Sequence, residues 1–318
     1  VVARKREVVV SVEVRPFRRG DREQVTALVN AHVQAIVPGV AVPVSAVLAQ
    51  FEREPDEFIV DPWVEERAVL VAEQRGRIVA AALLHRYGRG DAVGDYERGA
   101  GEIKWLLCWR EAPFWPDATA AGDALVHGCL ALLAAWGSER IFADGQLPAP
   151  GVYGIPDAWP HVADILTRAG FVHAGRVERV LAAEMAAIAS PGEVPMPGLT
   201  LRREFGINGT RFAAVLDGDE IAMIETESDL TQGGARARLA GWADIGNLQV
   251  DEQHRRRGVG RWLLGHAADW LRLGRVHALL AYAQPGDDAE LAFLSAAGFR
   301  ELSRTRRGWE HRPEQNLP

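Results

Sequence analysis

Hydrophobic and polar positions along this chain fall into two successive rounds of one pattern. In the later round, strand-like alternation covers Leu199–Phe205, Arg211–Leu216 and Glu220–Glu227. It resumes over Leu239–Val250 after a Gly-rich loop, Asp229–Ala237. The spacing then changes to three and four. Leu263, Leu264, Ala267 and Leu271 share one face of a helix predicted over Gly260–Leu273, with Gly274 as its stop. A strand over His277–Ala283, a helix over Asp288–Ala297, the pair Gly298-Phe299 and a last strand ending near Trp309 complete the round.

The earlier round keeps this order. Val8–Pro16 reads as a strand, Asp21 is placed to cap the helix after it, and Val33–Asp61 is helical or irregular. Ala68–Glu73 and Ile78–His85 form a hairpin, Arg86–Gly99 is a polar loop, and Gly101–Trp109 is the next strand. Helix Ala121–Trp136 stops at Gly137, followed by strand Arg140–Ala143, helix Trp159–Ala169, Gly170-Phe171 and strand Val172–Glu184. Single residues match as well: Glu102-Ile103 with Asp244-Ile245, Trp136-Gly137 with Leu273-Gly274, and Arg168-Ala169-Gly170-Phe171 with Ala296-Ala297-Gly298-Phe299. Pro191, Pro195 and Pro197 mark Ala189–Gly198 as a linker. The expectation is an α/β chain with a mixed sheet in each of two tandem domains, 1–188 and 198–318.

Composition narrows the function classes. With 318 residues, each half is long enough to bury its own core. A net charge of −7 argues against nucleic acid as a partner and leaves the basic cluster at 255–257 as a local feature. Cys108 and Cys129 lie in apolar runs and read as buried, reduced thiols, which fits a cytoplasmic location. None of the nine histidines forms a metal-type pair, so no metal is expected. Val1–Arg6 leads into a strand rather than a signal sequence, and no uninterrupted run of about 18 apolar residues points to a membrane. Among ten tryptophans, Trp105, Trp109, Trp115 and Trp242 gather near the two fourth strands, where they pack an interdomain core or line a pocket.

The stretch Val250-Asp251-Glu252-Gln253-His254-Arg255-Arg256-Arg257-Gly258-Val259-Gly260-Arg261 carries the chemistry. A strand feeds a short basic turn with two glycines, and the turn opens into a helix. Such a turn aims backbone N–H groups and the positive end of a helix dipole at one spot, an arrangement that binds pyrophosphate. Neither a P-loop nor a Rossmann fingerprint is present here. The spacing Arg255-x-x-Gly258-x-Gly260 resembles the Q/R-x-x-G-x-G/A signature of the GNAT (N-acetyltransferase) superfamily. With the repeated Gly-Phe pairs, the resemblance covers nearly the whole chain as a tandem GNAT protein. It implies acetyl-CoA as co-substrate and acyl transfer to an amine of a small molecule or peptide. The implied pyrophosphate contacts are Arg255, Arg256, Arg257, Gly258, Val259, Gly260 and Arg261. The backbone of Leu248, Gln249 and Val250 is implied for pantetheine and the oxyanion, with Gly246-Asn247 as the bulge that starts the splay.

An amine of pKa near 8–10 is mostly protonated at neutral pH and needs a general base. The resemblance places that role on Asp244, eleven residues before Arg255, where the histone-acetylating members carry glutamate. The shorter aspartate acts through a water; the alternative is an ordinary polar strand residue. Glu225 and Glu227 on the neighbouring strand are the reserves. The position of the usual acidic tyrosine holds Leu294, with Tyr282 as a weak substitute, and the usual helix-opening asparagine is Asp287. In the first copy the corresponding turn reads Asp117-Ala118-Thr119-Ala120-Ala121-Gly122, so a carboxylate and a Cβ stand where pyrophosphate would bind, and that copy reads as degenerate. In the second copy only Gly206–Gly209 separates the first two strands, where the family has helices that wall the acceptor. That wall then comes from the first copy or from a partner chain in a homodimer. A non-catalytic acyl-CoA binding or sensing protein is the alternative, favoured by Leu294.

Overall fold

The computed structural model describes residues 11–52, 61–143, 145–147, 153–206, 209–228, 241–284 and 286–312. The Gly-rich loop Asp229–Ala237 and parts of the Val8–Pro16 and Val33–Asp61 segments lie outside them. The first half runs β1 (Glu13–Pro16), α1 (Arg22–Gln34), α2 (Val44–Ala49), β2 (Val64–Gln74), β3 (Arg77–Tyr87), β4 (Gly101–Cys108), α3 (Ala118–Ala135), β5 (Ile141–Ala143), β6 (Ile155–Pro156), α4 (Pro160–Arg168) and β7 (Phe171–Glu184). The second runs β8 (Thr200–Phe205), β9 (Thr210–Leu216), β10 (Asp219–Glu227), β11 (Trp242–Val250), α5 (Val259–Leu273), β12 (Ala278–Ala283), α6 (Asp288–Ala296) and β13 (Arg300–His311).

All these strands join one mixed sheet, in the order β1-β2-β3-β4-β5-β13-β7-β12-β11-β10-β9-β8, with β6 alongside β13. The halves exchange their last strands at the middle. β13, from the second half, pairs with β5 of the first through Trp309↔Ala143 and Glu310↔Phe142. β7, from the first half, pairs with β12 of the second from Ala278↔Glu184 to Ala283↔Arg179. The two exchanged strands pair with each other from Arg300↔Ala182 to His311↔Phe171. The period of two along a strand then divides one strand between two cores: Val180 and Ala182 enter the N-terminal core, while Leu181 and Ala183 enter the C-terminal one.

The halves differ in cover. Helices α1 to α4 bury their apolar sides in the N-terminal core through residues such as Leu28, Val47, Leu125 and Ile165. The 18-residue α3 has the length and hydropathy of a membrane span, yet Leu125, Val126, Cys129 and Leu133 are buried in that core. In the second half α5 and α6 pack on the face carrying Phe212, Ile224 and Ala243. The opposite face of β8 to β10 carries a charge ladder in which Arg202 and Arg211 each pair with Glu204 and Glu220. Such a charged face can stay in water, and among the described residues no helix lies between β8 and β9.

Candidate active site

Two breaks in strand pairing open a cleft in the second half. β11 runs antiparallel to β10 with Glu227↔Asp244 and Thr226↔Ile245, then skips Gly246 and resumes at Glu225↔Asn247. Gly246 is therefore the extra residue of a β-bulge, where the sequence placed one. On its other side β11 pairs in parallel with β12 only from Trp242↔Ala278 to Asp244↔Leu280. Beyond Asp244 the strands diverge around a cavity of about 750 Å³ lined by Gly246, Leu248, Gln249, Tyr282, Leu294 and Glu178 of β7, among others. Leu248, Gln249 and Val250 thus have no registered strand partner on the β12 side. The Val250 carbonyl accepts a hydrogen bond from Arg255 Nε at 3.0 Å, which ties the basic turn to the strand that leads into it.

The turn has the geometry of an anion site. Arg256 and Gly258 both take left-handed backbone, with φ of 64° and 87°. Gly258 is the N-cap of α5, and the buried Val259 and half-buried Gly260 begin the helix. Arg255, Arg256, Arg257 and Gly258 are exposed around this end, and Arg261 reaches the Ala296 carbonyl at 3.4 Å. The structure therefore brings all seven turn residues together at one helix N-terminus, where N–H groups lack intrahelical acceptors.

At the other end of β11, Asp244 lies half-buried. Tyr282 on β12 donates its hydroxyl to Asp244 Oδ2 at 3.1 Å. The Glu227 N–H also donates to the carboxylate, while Oδ1 is buried without a partner. Burial outweighs both hydrogen bonds and pushes the Asp244 carboxyl up to about 6. Burial, followed by the Asp244 charge, holds the Tyr282 phenol well above its ordinary value, so Tyr282 remains a proton donor. Tyr153 of the first half packs edge-on against Tyr282, with centroids 6.4 Å apart. The sequence singled out Tyr282 and Glu227 in other roles and did not pair either with Asp244. Tyr282 follows by two residues the parallel partner of Asp244, Leu280, and so shares its face.

Glu227 sits directly across from Asp244. Glu225 is buried on the same face, but its carboxylate packs against Gly206, where a Cβ would approach within 2.0 Å of Oε1. Leu294 is buried and lines the cavity. Asp287 caps α6, accepting from the Glu290 N–H at 3.1 Å. Trp105 is buried in the N-terminal core, Trp109 stacks on Trp115, and Trp242 meets His277 edge-on. None of these four tryptophans lines the cavity. Among the described residues no group of three His, Cys, Asp or Glu side chains is placed to hold a metal.

In the equivalent region of the first half, described residues bond to the free edge of β4. Parallel pairing of β4 with β5 runs from Gly101↔Ile141 to Ile103↔Ala143. Past it, the Gln146 N–H donates to the Lys104 carbonyl at 2.7 Å, and His161 Nε2 donates to the Cys108 carbonyl at 2.8 Å. Leu147 and Trp159 are buried beside them. Glu102, the counterpart of Asp244, is buried, accepts from the Tyr87 hydroxyl and lies 3.9 Å from Lys104. Asp117 stands directly before α3, and a Cβ on Gly122 would meet Ile165 at 2.4 Å.

Comparison with known proteins bears on the same segment. Residues 184–299 match the model of the Acetyltransferase (GNAT) family. The fold is shared with a tandem GNAT protein from the clavulanic acid biosynthesis pathway, at a TM-score of 0.64 and 16% identity, covering 96% of this chain and 100% of that one. A GCN5-related N-acetyltransferase from Sphaerobacter thermophilus aligns with a TM-score of 0.59 and 16% identity over 96% of this chain and 98% of its own. A glucosamine N-acetyltransferase region of a fungal multi-domain GH3 β-N-acetylglucosaminidase aligns at 0.63 and 15% over 95% of this chain, which spans 38% of that protein. No curated protein matches the chain in sequence.

Proposed function

We propose, from the match of residues 184–299 to the GNAT acetyltransferase family and the fold shared with a tandem GNAT protein, that this chain is an acetyl-CoA-dependent N-acetyltransferase with one active site, in the second half. The observation that supports this is the course of β11: it leaves β12 after Asp244, bulges at Gly246, runs through Leu248–Val250 without a registered partner on that side, and leads into the turn that opens α5. The turn Arg255–Arg261 holds the pyrophosphate through free N–H groups and arginines. The acceptor amine attacks the thioester carbonyl, and Asp244, acting with Tyr282 or through a water, takes the proton that the nitrogen sheds. The β11 backbone faces the carbonyl oxygen as it becomes negative. The coenzyme A thiolate leaves and collects its proton afterwards, in keeping with Leu294 at the usual acid position.

The first half serves as wall rather than as a second enzyme. Its own slot is filled by Gln146, Leu147, Trp159 and His161, while Tyr153 and Glu178 reach the second-half site. On this reading the first half, rather than a partner chain, supplies the acceptor wall. The buried free thiols of Cys108 and Cys129 support a cytoplasmic setting. Calorimetric titration with acetyl-CoA tests the assignment. One equivalent per chain is expected, and two equivalent sites overturn it. Acetyl-CoA turnover with a panel of amines separates the enzyme from a non-catalytic acyl-CoA sensor, the reading that the buried Leu294 favours.

A further inference from the structure

The cavity between β11 and β12 is lined by the carboxylates of Glu178, Asp287 and Glu290, and no Lys, Arg or His stands among its described lining residues. Two of these acids lie on the α6 side, where Asp287 is engaged as a helix cap. Glu178 comes from β7 of the first half and stands on the other side, near the Asp244–Tyr282 pair. The negative charge there is concentrated: Asp244, Glu227 and Glu178 all lie close enough to act on the buried Tyr153 phenol. Arg307 brings positive charge to 3.9 Å from Glu178, with its guanidinium over the Tyr153 ring. Asp244 Oδ1 adds a buried carboxylate oxygen with no donor. A buried acceptor left without a donor is costly, so this oxygen calls for an N–H from a ligand.

A monoamine meets this demand poorly. It must lose its positive charge in order to attack, and the carboxylates then face a neutral ligand. An acceptor with a second amine keeps one ammonium throughout the reaction, and that charge can pair with Glu178 while the neutral nitrogen works at Asp244. Resting on the acetyltransferase reading above, we propose that the acceptor is a diamine or oligoamine: its reacting nitrogen meets Asp244 and Tyr282, and its second ammonium is selected by Glu178 of the first half. The reaction balances as an ordinary aminolysis. The N–C bond forms, the C–S bond breaks, one nitrogen proton passes to Asp244, and the thiolate ends as the thiol.

The test is calorimetry on the full chain saturated with coenzyme A, comparing 1,4-diaminobutane with n-butylamine. The diamine is expected to bind on the order of tenfold more tightly or better, the worth of one well-placed charge pair. E178Q should remove most of that preference, and E178D should retain part of it, with melting temperature and coenzyme A affinity as folding controls for both. Equal affinity for the two amines, or an intact preference in E178Q, overturns the proposal. An acetylation assay run alongside keeps the two readings apart. Preferential diamine binding without acetyl transfer supports a diamine site at Glu178 but overturns both the transferase and the diamine's role as acceptor. Transfer to n-butylamine as efficient as to the diamine supports the transferase and refutes the diamine preference.

Discussion

Asp244 is where the residue scale matters most. Its spacing from Arg255 made it legible in the sequence, but its protonation state follows from contacts between strands distant in sequence. With the carboxyl pushed up to about 6, activity should fall on the acid side of that value if Asp244 is the base we propose, since protonation removes its capacity to accept a proton. D244N should lower kcat near neutral pH by roughly 10²–10⁴-fold, the usual worth of a general base, and leave acetyl-CoA affinity nearly unchanged. Stability should move the other way. The folded value lies above the ordinary 3.8, so this group favours the native state below about 3.8 and loses that contribution as pH rises through about 6. At neutral pH the buried charge then costs on the order of 3 kcal/mol. D244N should therefore melt higher than the parent at neutral pH, and the gain should vanish near pH 4. Melting curves across pH check this; a variant that melts lower at neutral pH would mark Asp244 as a structural carboxylate. The Tyr282 partnership could not be read from the chain, because it depends on the parallel register of β11 with β12. Asp21 shows the same limit. It is the N-cap residue of α1, as expected, but its carboxylate makes no cap hydrogen bond and instead holds Arg15 through contacts at 2.8 and 2.9 Å and the Arg18 N–H at 2.7 Å.

At the scale of elements, the strand–turn–helix unit was legible because its signals are local: glycines at a turn, arginines beside them, and the change of period from two to 3.6. The bulge at Gly246 belongs to the same class. The two glycines of the turn nevertheless have different reasons to be there. Gly258 has φ of 87°, where a side chain is strained, whereas Gly260 is helical and a Cβ there would meet Phe293 and Val250 at an ordinary 3.6 Å. Gly258→Ala should therefore cost about 1–2 kcal/mol of local conformational energy and weaken acetyl-CoA binding on the order of tenfold. Gly260→Ala should bind within about threefold of the parent. Calorimetry on both variants decides the point, since equal losses would mean that close approach of the cofactor, rather than backbone conformation, explains both glycines. Gly258→Asp should abolish binding, because it adds a negative charge beside the pyrophosphate.

At the scale of the molecule, the two rounds of elements were plain in the sequence, but their exchange of strands was not. β7 and β13 follow equivalent helices and Gly-Phe pairs, so nothing local says that each lies beside the other half's fifth strand. β13 also reads RELSRTRRGWEH, and this polar sequence gives no sign of a strand flanked on both sides. Arg304, Arg306 and Arg307 are accommodated by Glu301, Asp157 and Glu178 rather than by apolar cover. The exchange changes what a dissected protein should do. A fragment of residues 198–318 lacks more than the acceptor wall. Its β12 loses β7 as a neighbour, and its β13 loses both β5 and β7. A sheet so opened leaves unpaired backbone groups along one edge of β12 and both edges of β13. The isolated fragment should therefore melt without cooperativity or aggregate, and should bind acetyl-CoA at least on the order of tenfold more weakly than the full chain. The complementary fragment, residues 1–197, lacks β13 between β5 and β7 and should fare no better alone. Mixed or co-expressed, the two should restore a cooperative transition and one acetyl-CoA site, because the exchanged strands dock across the break. Calorimetry and melting curves on each fragment and on the mixture supply the measurement. If residues 198–318 alone fold cooperatively and bind with full affinity, the exchanged strands add little, and the first half owes its place to the acceptor side of the pocket alone.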